Sequence, residues 1–420
     1  MALAALTYTF AEQYVYSWLY SAPKKSENPI KIGVLCTASI NPVSIIHPAE
    51  THPDVVLYAV ASRDAKKARQ YAKSYGFQKA HSSYEQLLAD PEVELVYISV
   101  PNGLHFEWAF KALEAGKHVL LEKPFTSNAI EARKLVEKSK MVGKECMEAF
   151  HWQFHPAAHR FRQILDEHTT NSGRGPDERF AYASDGRFGP ILKTHARMTT
   201  TPAIPKGDIR WRYDLSGGSL MDMTYALSFT RYALRAKLPK DVVYAKVRSA
   251  SRDTRVDSAM EAMMKFICRD DIKKGEGRLG SSVDVESTIY TDMARDLLMG
   301  FIPRLWELPS IFVDTERAEV YFYNAILPHT YHYIAVKDKS TGHMTYESIY
   351  KGGPLWKERG ESHWSTFRYQ LEAVVDKLRG REPVWWVSGE DSIAQMETID
   401  SLYKKSGLSL RSTSALAVDV

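Results

Sequence analysis

Between Ile30 and Phe150 short apolar runs alternate with stretches of helical period, and this alternation confines the segment to a parallel sheet covered by helices. Ile32 to Leu35 reads as a buried strand and Val55 to Ala61 as a second. Asp64 then caps a helix that reaches Tyr75 and is closed by Gly76. Ser82-Ser83-Tyr84-Glu85 reads as a capping box opening a short helix that stops before Pro91. Leu95 to Val100 is a third strand, Pro101-Asn102-Gly103 a loop, and a helix from His105 to Ala115 leads through Gly116 into a further apolar run. Cys146 to Phe150 is the next strand. The pattern is that of a doubly wound, nucleotide-binding α/β unit.

At 420 residues the chain exceeds what one core usually organises, so two domains are expected. Residues 1–29 read as an apolar, aromatic helix and a polar linker, 30–150 as the doubly wound domain, and 151–420 as a second domain. The first 20 residues lack a basic leader and are interrupted by Glu12 and Gln13, which argues against a signal peptide and against stable membrane insertion. Lys and Arg number 55 against 51 Asp and Glu, a net charge of +4 that is too slight and scattered for a nucleic-acid or membrane surface. A small-molecule substrate is the better expectation. Cys36, Cys146 and Cys268 are widely spaced and fit no metal pattern, so they read as reduced thiols of a cytoplasmic protein, and no metal is expected.

The run Lys117-His118-Val119-Leu120-Leu121-Glu122-Lys123-Pro124 is an apolar strand ending in an acid, a base and a proline. In an open parallel sheet ligands bind beyond the carboxyl ends of the strands, and Pro124, lacking an N–H, ends the ladder there. Lys123 reads either as a solvated lysine after a buried strand or as an amine that exchanges a proton with a substrate hydroxyl. The turn after the first strand holds Cys36, Ala38 and Asn41 where a GxGxxG fingerprint has glycine. Small residues still let a pyrophosphate approach the N–H groups of Cys36, Thr37, Ala38, Ser39 and Ile40, with reduced affinity. About 20 residues on, where an acid would hold an NAD ribose, the chain offers Ser62 and Arg63. A guanidinium and a hydroxyl suit a 2′-phosphate, so NADP is expected over NAD; the alternative is an exposed arginine on a βα loop.

These motifs, with Pro101-Asn102-Gly103-Leu104-His105 and Glu148-Ala149-Phe150-His151 ahead of His155-Pro156, resemble the glucose–fructose oxidoreductase/inositol dehydrogenase (Gfo/Idh/MocA) family. The resemblance is strongest from Lys31 to Pro156 and points within the family to dimeric dihydrodiol dehydrogenases and NADP-dependent D-xylose dehydrogenases, particularly their fungal relatives. It implies that Lys123 is the catalytic lysine, that Glu122 lies by the nicotinamide ribose, and that Pro101, Asn102 and His105 line the nicotinamide side of the cleft. Read from the residues alone, Asn102 and Gly103 can equally supply turn chemistry and His105 cap a helix. His151 and His155 read as structural histidines or as cleft groups.

The resemblance further implies a second domain built as an open, mostly antiparallel sheet with helices on one face. It also implies a homodimer formed through that sheet, with Val320, Phe322 and Tyr331 to Tyr333 as candidate face residues. Strand-like runs occur at Tyr244 to Arg248, Ala262 to Cys268, Ile311 to Val313, Ala318 to Tyr323 and Tyr331 to Val336. Glu361 to Leu378 and Glu390 to Lys404 read as helices, and Asp166 to Asp185 and Arg269 to Ser282 as polar insertions. The glycine turn Ser216-Gly217-Gly218 opens a helix on which Asp222 and Tyr225 lie three apart, on one face, toward Lys123. Relatives carry a glycine and a tyrosine where Thr224 and Ala226 stand, and an arginine where Gln153 stands. Trp152, Trp211 and Tyr213 would suit a sugar face or pack in the core. The expected mechanism is reversible hydride transfer, with Lys123 as acid/base, Asp222 orienting it and Tyr225 as a second candidate. A cofactor-binding protein without catalysis, as in the yeast galactose repressor, is the alternative from another class. A tailoring reaction on a secondary metabolite is the third.

Overall fold

A computed structural model describes residues 23–166, 188–269 and 282–419; the apolar N-terminal helix and most of both charged insertions read from the sequence lie outside them. The strands β1 (Ile30–Leu35), β2 (Val55–Ala61), β3 (Lys79–His81), β4 (Leu95–Ile98), β5 (His118–Leu121) and β6 (Cys146–Glu148) form one sheet. All pair in parallel, in the order β3-β2-β1-β4-β5-β6. Helices cover both faces, so the central strands are buried along most of their length and read as continuous apolar runs. Strand order reverses between β1 and β4, which opens a crevice at the carboxyl edge where the turns after β1, β4 and β5 meet.

Asp64 caps the helix Ala65–Tyr75 by accepting from the N–H groups of Lys66 and Lys67, and Gly76 ends it with φ 71°. The capping box lies one residue later than the sequence reading placed it. Ser83, not Ser82, is the cap: its Oγ accepts from Gln86 N, while Gln86 Oε1 accepts from Ser82 N at 3.1 Å. Glu85 takes no part in this reciprocal pair, because only the third helical residue reaches back to the cap.

The second sheet contains β7 (Ile191–Thr199), β8 (Asp241–Ser249), β9 (Asp257–Arg269), β10 (Ser282–Asp292), β11 (Ser310–Thr315), β12 (Ala318–Tyr323), β13 (Tyr333–Asp338) and β14 (Met344–Glu347). Its order is β14-β13-β12-β11-β7-β10-β9-β8, antiparallel except where β7 meets β10. Met260, Ala262, Met264 and Phe266 of β9 are buried, β9 packs against the short helix Ser219–Asp222, and the helix Tyr225–Leu234 lies on β7, β10 and β11. The same period of two corrects the expected outer face. Val320 and Phe322 are fully buried, Phe322 stacking on Phe161 with centroids 5.3 Å apart. His332, also expected there, is buried, whereas Tyr333 stands on the open side as expected, joined by Tyr321 and Tyr323, and Tyr323 and Tyr333 stack at 5.0 Å.

The helix expected from Glu361 begins at Thr366, where Ser365 Oγ caps Arg368 N. The last long helix, Gly389–Ser406, returns to the first sheet's helix Ala129–Val142: Asp400 Oδ2 accepts from Ala129 N at 3.0 Å. No helix among the described residues is long and apolar enough to cross a membrane.

Candidate active site

Lys123 follows β5 at the open carboxyl edge, and its Nζ donates to the main-chain oxygen of Asp222 at 2.8 Å and lies 3.4 Å from Asp222 Oδ1. Both side chains are mostly buried, at 17% and 19% exposure, yet remain reachable from the cleft. Asp222 closes the short helix Ser219–Asp222, which starts at Gly218 with φ 138°. A Cβ at Gly218 would stand 2.2 Å from Asp257 Oδ1 and 2.4 Å from Arg411 Nη2, so the turn that aims Asp222 needs glycine. The other Asp222 oxygen pairs with Arg210 Nε at 3.2 Å. Burial works against the Asp222 carboxylate, but Lys123 and Arg210 outweigh it and hold its pKa below the usual range.

Arg210 was not among the residues read from the sequence. Its loop is polar and irregular, and only the fold brings it to an acid twelve positions on. Trp211 and Tyr213 flank it, half-buried at the site, whereas Trp152 is fully enclosed by Phe229 and Tyr232 and is core.

Tyr225 presents its ring, not its hydroxyl, to Lys123: Nζ lies 5.3 Å from the ring centroid. The hydroxyl is 2.9 Å from His151 Nε2, and His151 Nδ1 is 2.8 Å from Thr366 Oγ1. Burial, with Glu122 and Asp222 nearby, pushes the phenol well above its ordinary pKa. Tyr225 and His151 thus form a wall under Lys123. His155 is fully buried and accepts from Ala157 N.

Glu122 is buried behind Lys123 and accepts from the Tyr97 hydroxyl at 2.6 Å. Burial raises its pKa, although Tyr97 and Lys123 pull the other way. His105 sits beneath the cleft rather than in its lining: its ring nitrogens lie 2.7 Å from Pro124 O and 2.9 Å from Val100 O, bracing the two loops together. Asn102 Nδ2 donates across the domains to Ser216 O at 3.4 Å. Gly103 is pressed against Leu215, where a Cβ would meet its Cα at 2.9 Å. Pro101 and Asn102 remain half-buried at the cleft.

The turn after β1 runs over Cys36, Thr37, Ala38, Ser39 and Ile40, all partly or fully exposed. Cys36 takes φ 82°, the left-handed region for which glycine is the usual choice. Asn41, at the last glycine position, holds the turn by donating to Cys36 O at 2.9 Å and accepting from Ser99 Oγ at 2.7 Å. Side-chain hydrogen bonds thus replace glycine's flexibility. At the end of β2, Ser62 Oγ accepts from Asp64 N at 3.3 Å and Arg63 is exposed. Asp64 spends its Oδ1 on the helix cap, Ser62 is buried and Arg63 is exposed beside it.

The profile of the family described as "Oxidoreductase family, NAD-binding Rossmann fold" (GFO_IDH_MocA) matches residues 30–150. The chain is 34% identical over 259 residues to D-xylose 1-dehydrogenase (NADP(+)) 2 of Haloferax volcanii, a match covering 61% of this chain and 71% of that protein. It is 30% identical over 275 residues to trans-1,2-dihydrobenzene-1,2-diol dehydrogenase of Mus musculus, covering 65% and 73%. Among solved structures, a variant 3-ketoreductase from Actinomadura kijaniata in complex with TDP-benzene and NADP superposes with a TM-score of 0.69. That match covers 90% of this chain and 98% of the other at 24% identity, a likeness of fold.

Proposed function

Because the chain belongs to the oxidoreductase family with an NAD-binding Rossmann fold (GFO_IDH_MocA), we propose that it is an NADP-dependent dehydrogenase or reductase. Its substrate is a hydroxyl or carbonyl compound: a sugar, a cyclic diol or a related small molecule. The observation that carries this reading is Lys123 fixed by Asp222 at the carboxyl end of β5, beside the crevice at the switch point. The donor set fits the cofactor. Ser62 and Arg63 would hold a 2′-phosphate, and the Cys36–Ile40 turn would approach the pyrophosphate.

When bound, the nicotinamide supplies hydride exchange at the substrate carbon. Lys123 Nζ takes the hydroxyl proton during oxidation and returns it during reduction, while Asp222 and Arg210 fix its direction. Glu122, buried next to Lys123 and held by Tyr97, would fix the strand end against which the cofactor would lie. The buried ring of Tyr225 and the loops braced by His105 exclude water from one side. The oxidation would balance with the hydride's two electrons and proton going to the bound cofactor, and Lys123 would take the remaining hydroxyl proton.

The protein would act as a homodimer through the tyrosine-rich open face of the second sheet, in the cytoplasm, where Cys36 and Cys146 stay as free thiols. The decisive test is parallel titration of the purified chain with NADPH and NADH. Tighter NADPH binding, lost in Arg63→Ala, is expected. Binding of neither would leave the Lys123 pair without a hydride source and favour a scaffold.

A further inference from the structure

A second pocket, of ≈ 220 Å³, opens at the far end of the helix Tyr225–Leu234. None of Lys123, Arg210, Asp222 or Tyr225 lines it. At 1.5 Å of rise per residue, Arg235 lies about 15 Å along the helix from Tyr225. The inner wall is apolar, built from Phe150, Tyr232, Trp385 and Val387. Four cationic side chains line it, Arg162 in the wall and Arg231, Arg235 and Lys237 around the rim.

Two carboxylates stand against those four cations: Asp166, shared by Arg162 and Arg235, and Asp391, whose Oδ1 lies 3.9 Å from Arg231 Nη2. Among the described residues Asp391 is the acid that lines it, and its Oδ2 already accepts from Ser388 Oγ at 2.8 Å. Asp166 lies behind the wall, paired with Arg162 at 3.1 Å and with Arg235. Glu148, deeper still, is pushed up to about 8 by burial and carries little charge at neutral pH.

Arg162 supplies the second observation. It is 96% enclosed, with 4% exposure, and lines the pocket. Its Nε serves Asp166, and its Nη1 donates to the carbonyls of Tyr232 and Ala233 at the helix end. Its Nη2 has no hydrogen-bond partner among the described residues. Buried donors of a charged group are costly to leave unmade, so this nitrogen marks where an acceptor is missing.

We infer that this pocket binds a small organic carboxylate with a flat apolar body, its oxygens on Arg162 Nη2 and the cationic rim and its body against Tyr232 and Trp385. The planar guanidinium matches a carboxylate, and a single deep donor among apolar walls suits a monoanion with hydrocarbon rather than a free phosphate. The site is separate from the proposed cofactor cleft and would take its ligand with that cleft filled.

Calorimetric titration of the full chain with benzoate, with and without saturating NADPH, tests this. One benzoate per chain is expected, unaffected by NADPH and weakened about tenfold or more in Arg162→Lys and in Lys237→Glu. Lys237 is exposed, so its reversal leaves the fold intact should Arg162→Lys fail to fold. NADPH affinity, measured on the same samples, should not change in either variant, which separates failure here from failure of the oxidoreductase reading. The inference is overturned by the absence of saturable benzoate binding, by binding that NADPH displaces, by binding that both variants retain, or by inorganic phosphate binding in benzoate's place.

Discussion

At the level of single residues the site divides into one group that can move a proton and several that aim it. Replacing Lys123 by Ala removes the amine paired with the Asp222 carboxylate, and general acid–base catalysis typically contributes 10²–10⁴-fold. We therefore expect Lys123→Ala to lose about 10²–10⁴-fold in kcat while NADPH titration stays near wild type. Asp222→Asn should cost less, about tenfold, because the 2.8 Å bond from Lys123 runs to the main chain and survives the change. If both variants lose the same factor in single-turnover assays, the carboxylate handles the proton itself. Lys123 and Glu122 were legible in the sequence because the motif is local: an apolar strand, two charges and a proline. Arg210 was not, since its partner lies across an irregular loop, and neither was the direction of the Tyr225 hydroxyl, which packing against His151 decides.

Single elements show where pattern suffices and where it fails. β2 and β12 match the expected spans residue for residue, because their apolar content is dense. β7 and β10 escaped because their inward positions include hydroxyls: Thr194 pairs with Ser287 at 2.8 Å, and Ser219 with Thr291 at 2.7 Å. Buried but mutually satisfied, these residues do not look like core in a hydrophobicity count. The inverted assignment on β12 has a direct test. Phe322→Ala should cost about 3–5 kcal/mol in denaturant unfolding, as expected for a buried ring, whereas Tyr333→Ala should leave monomer stability nearly unchanged and weaken self-association in sedimentation. The turn after β1 has its own test. Cys36 at φ 82° tolerates no β-branch, so Cys36→Val should lose about 1–2 kcal/mol. In Cys36→Gly, relief of that strain and the added freedom of the unfolded chain oppose each other, leaving stability within about 1 kcal/mol and NADPH binding at least as tight.

Over the whole molecule, the two-sheet plan and the family were legible from motif order, but the return of Gly389–Ser406 to the first sheet was not, since its contacts, such as Arg133 with Glu397, join residues far apart in sequence. The closing of both sheets around a shared interior also buries many titratable groups, and this sets the pH response. Burial holds His105, His118, His159 and His332 down at about 4 and His329 at about 3. In the unfolded chain they titrate near 6.5, so between roughly pH 6.5 and 4 the unfolded state binds more protons and stability falls as pH falls. Glu148, raised to about 8, and Asp400, raised to about 6, have the opposite sign: the folded state is the better proton acceptor, and their contribution shrinks as pH rises. These five histidines, joined by the lowered His52, His151, His155, His195 and His363, outnumber the raised carboxyls Glu148, Asp400, Glu122, Glu131 and Asp257, so acid destabilises the fold. Acid unfolding followed by circular dichroism should therefore be steep and centred between about pH 4 and 5.5. Glu148→Gln isolates one term of this balance, because the amide keeps the acceptor that Phe125 N uses at 2.9 Å and cannot ionise. At pH 7.5 the wild-type protein loses stability by holding that carboxyl neutral while the unfolded chain ionises it, and the variant does not. Glu148→Gln should thus raise the melting temperature at pH 7.5 and lose that advantage at pH 4.5. An equal shift at both pH values would mean that Glu148 is ionised in the folded protein and that its neighbours, Ser392, the Phe125 N–H and then Arg231, offset its burial.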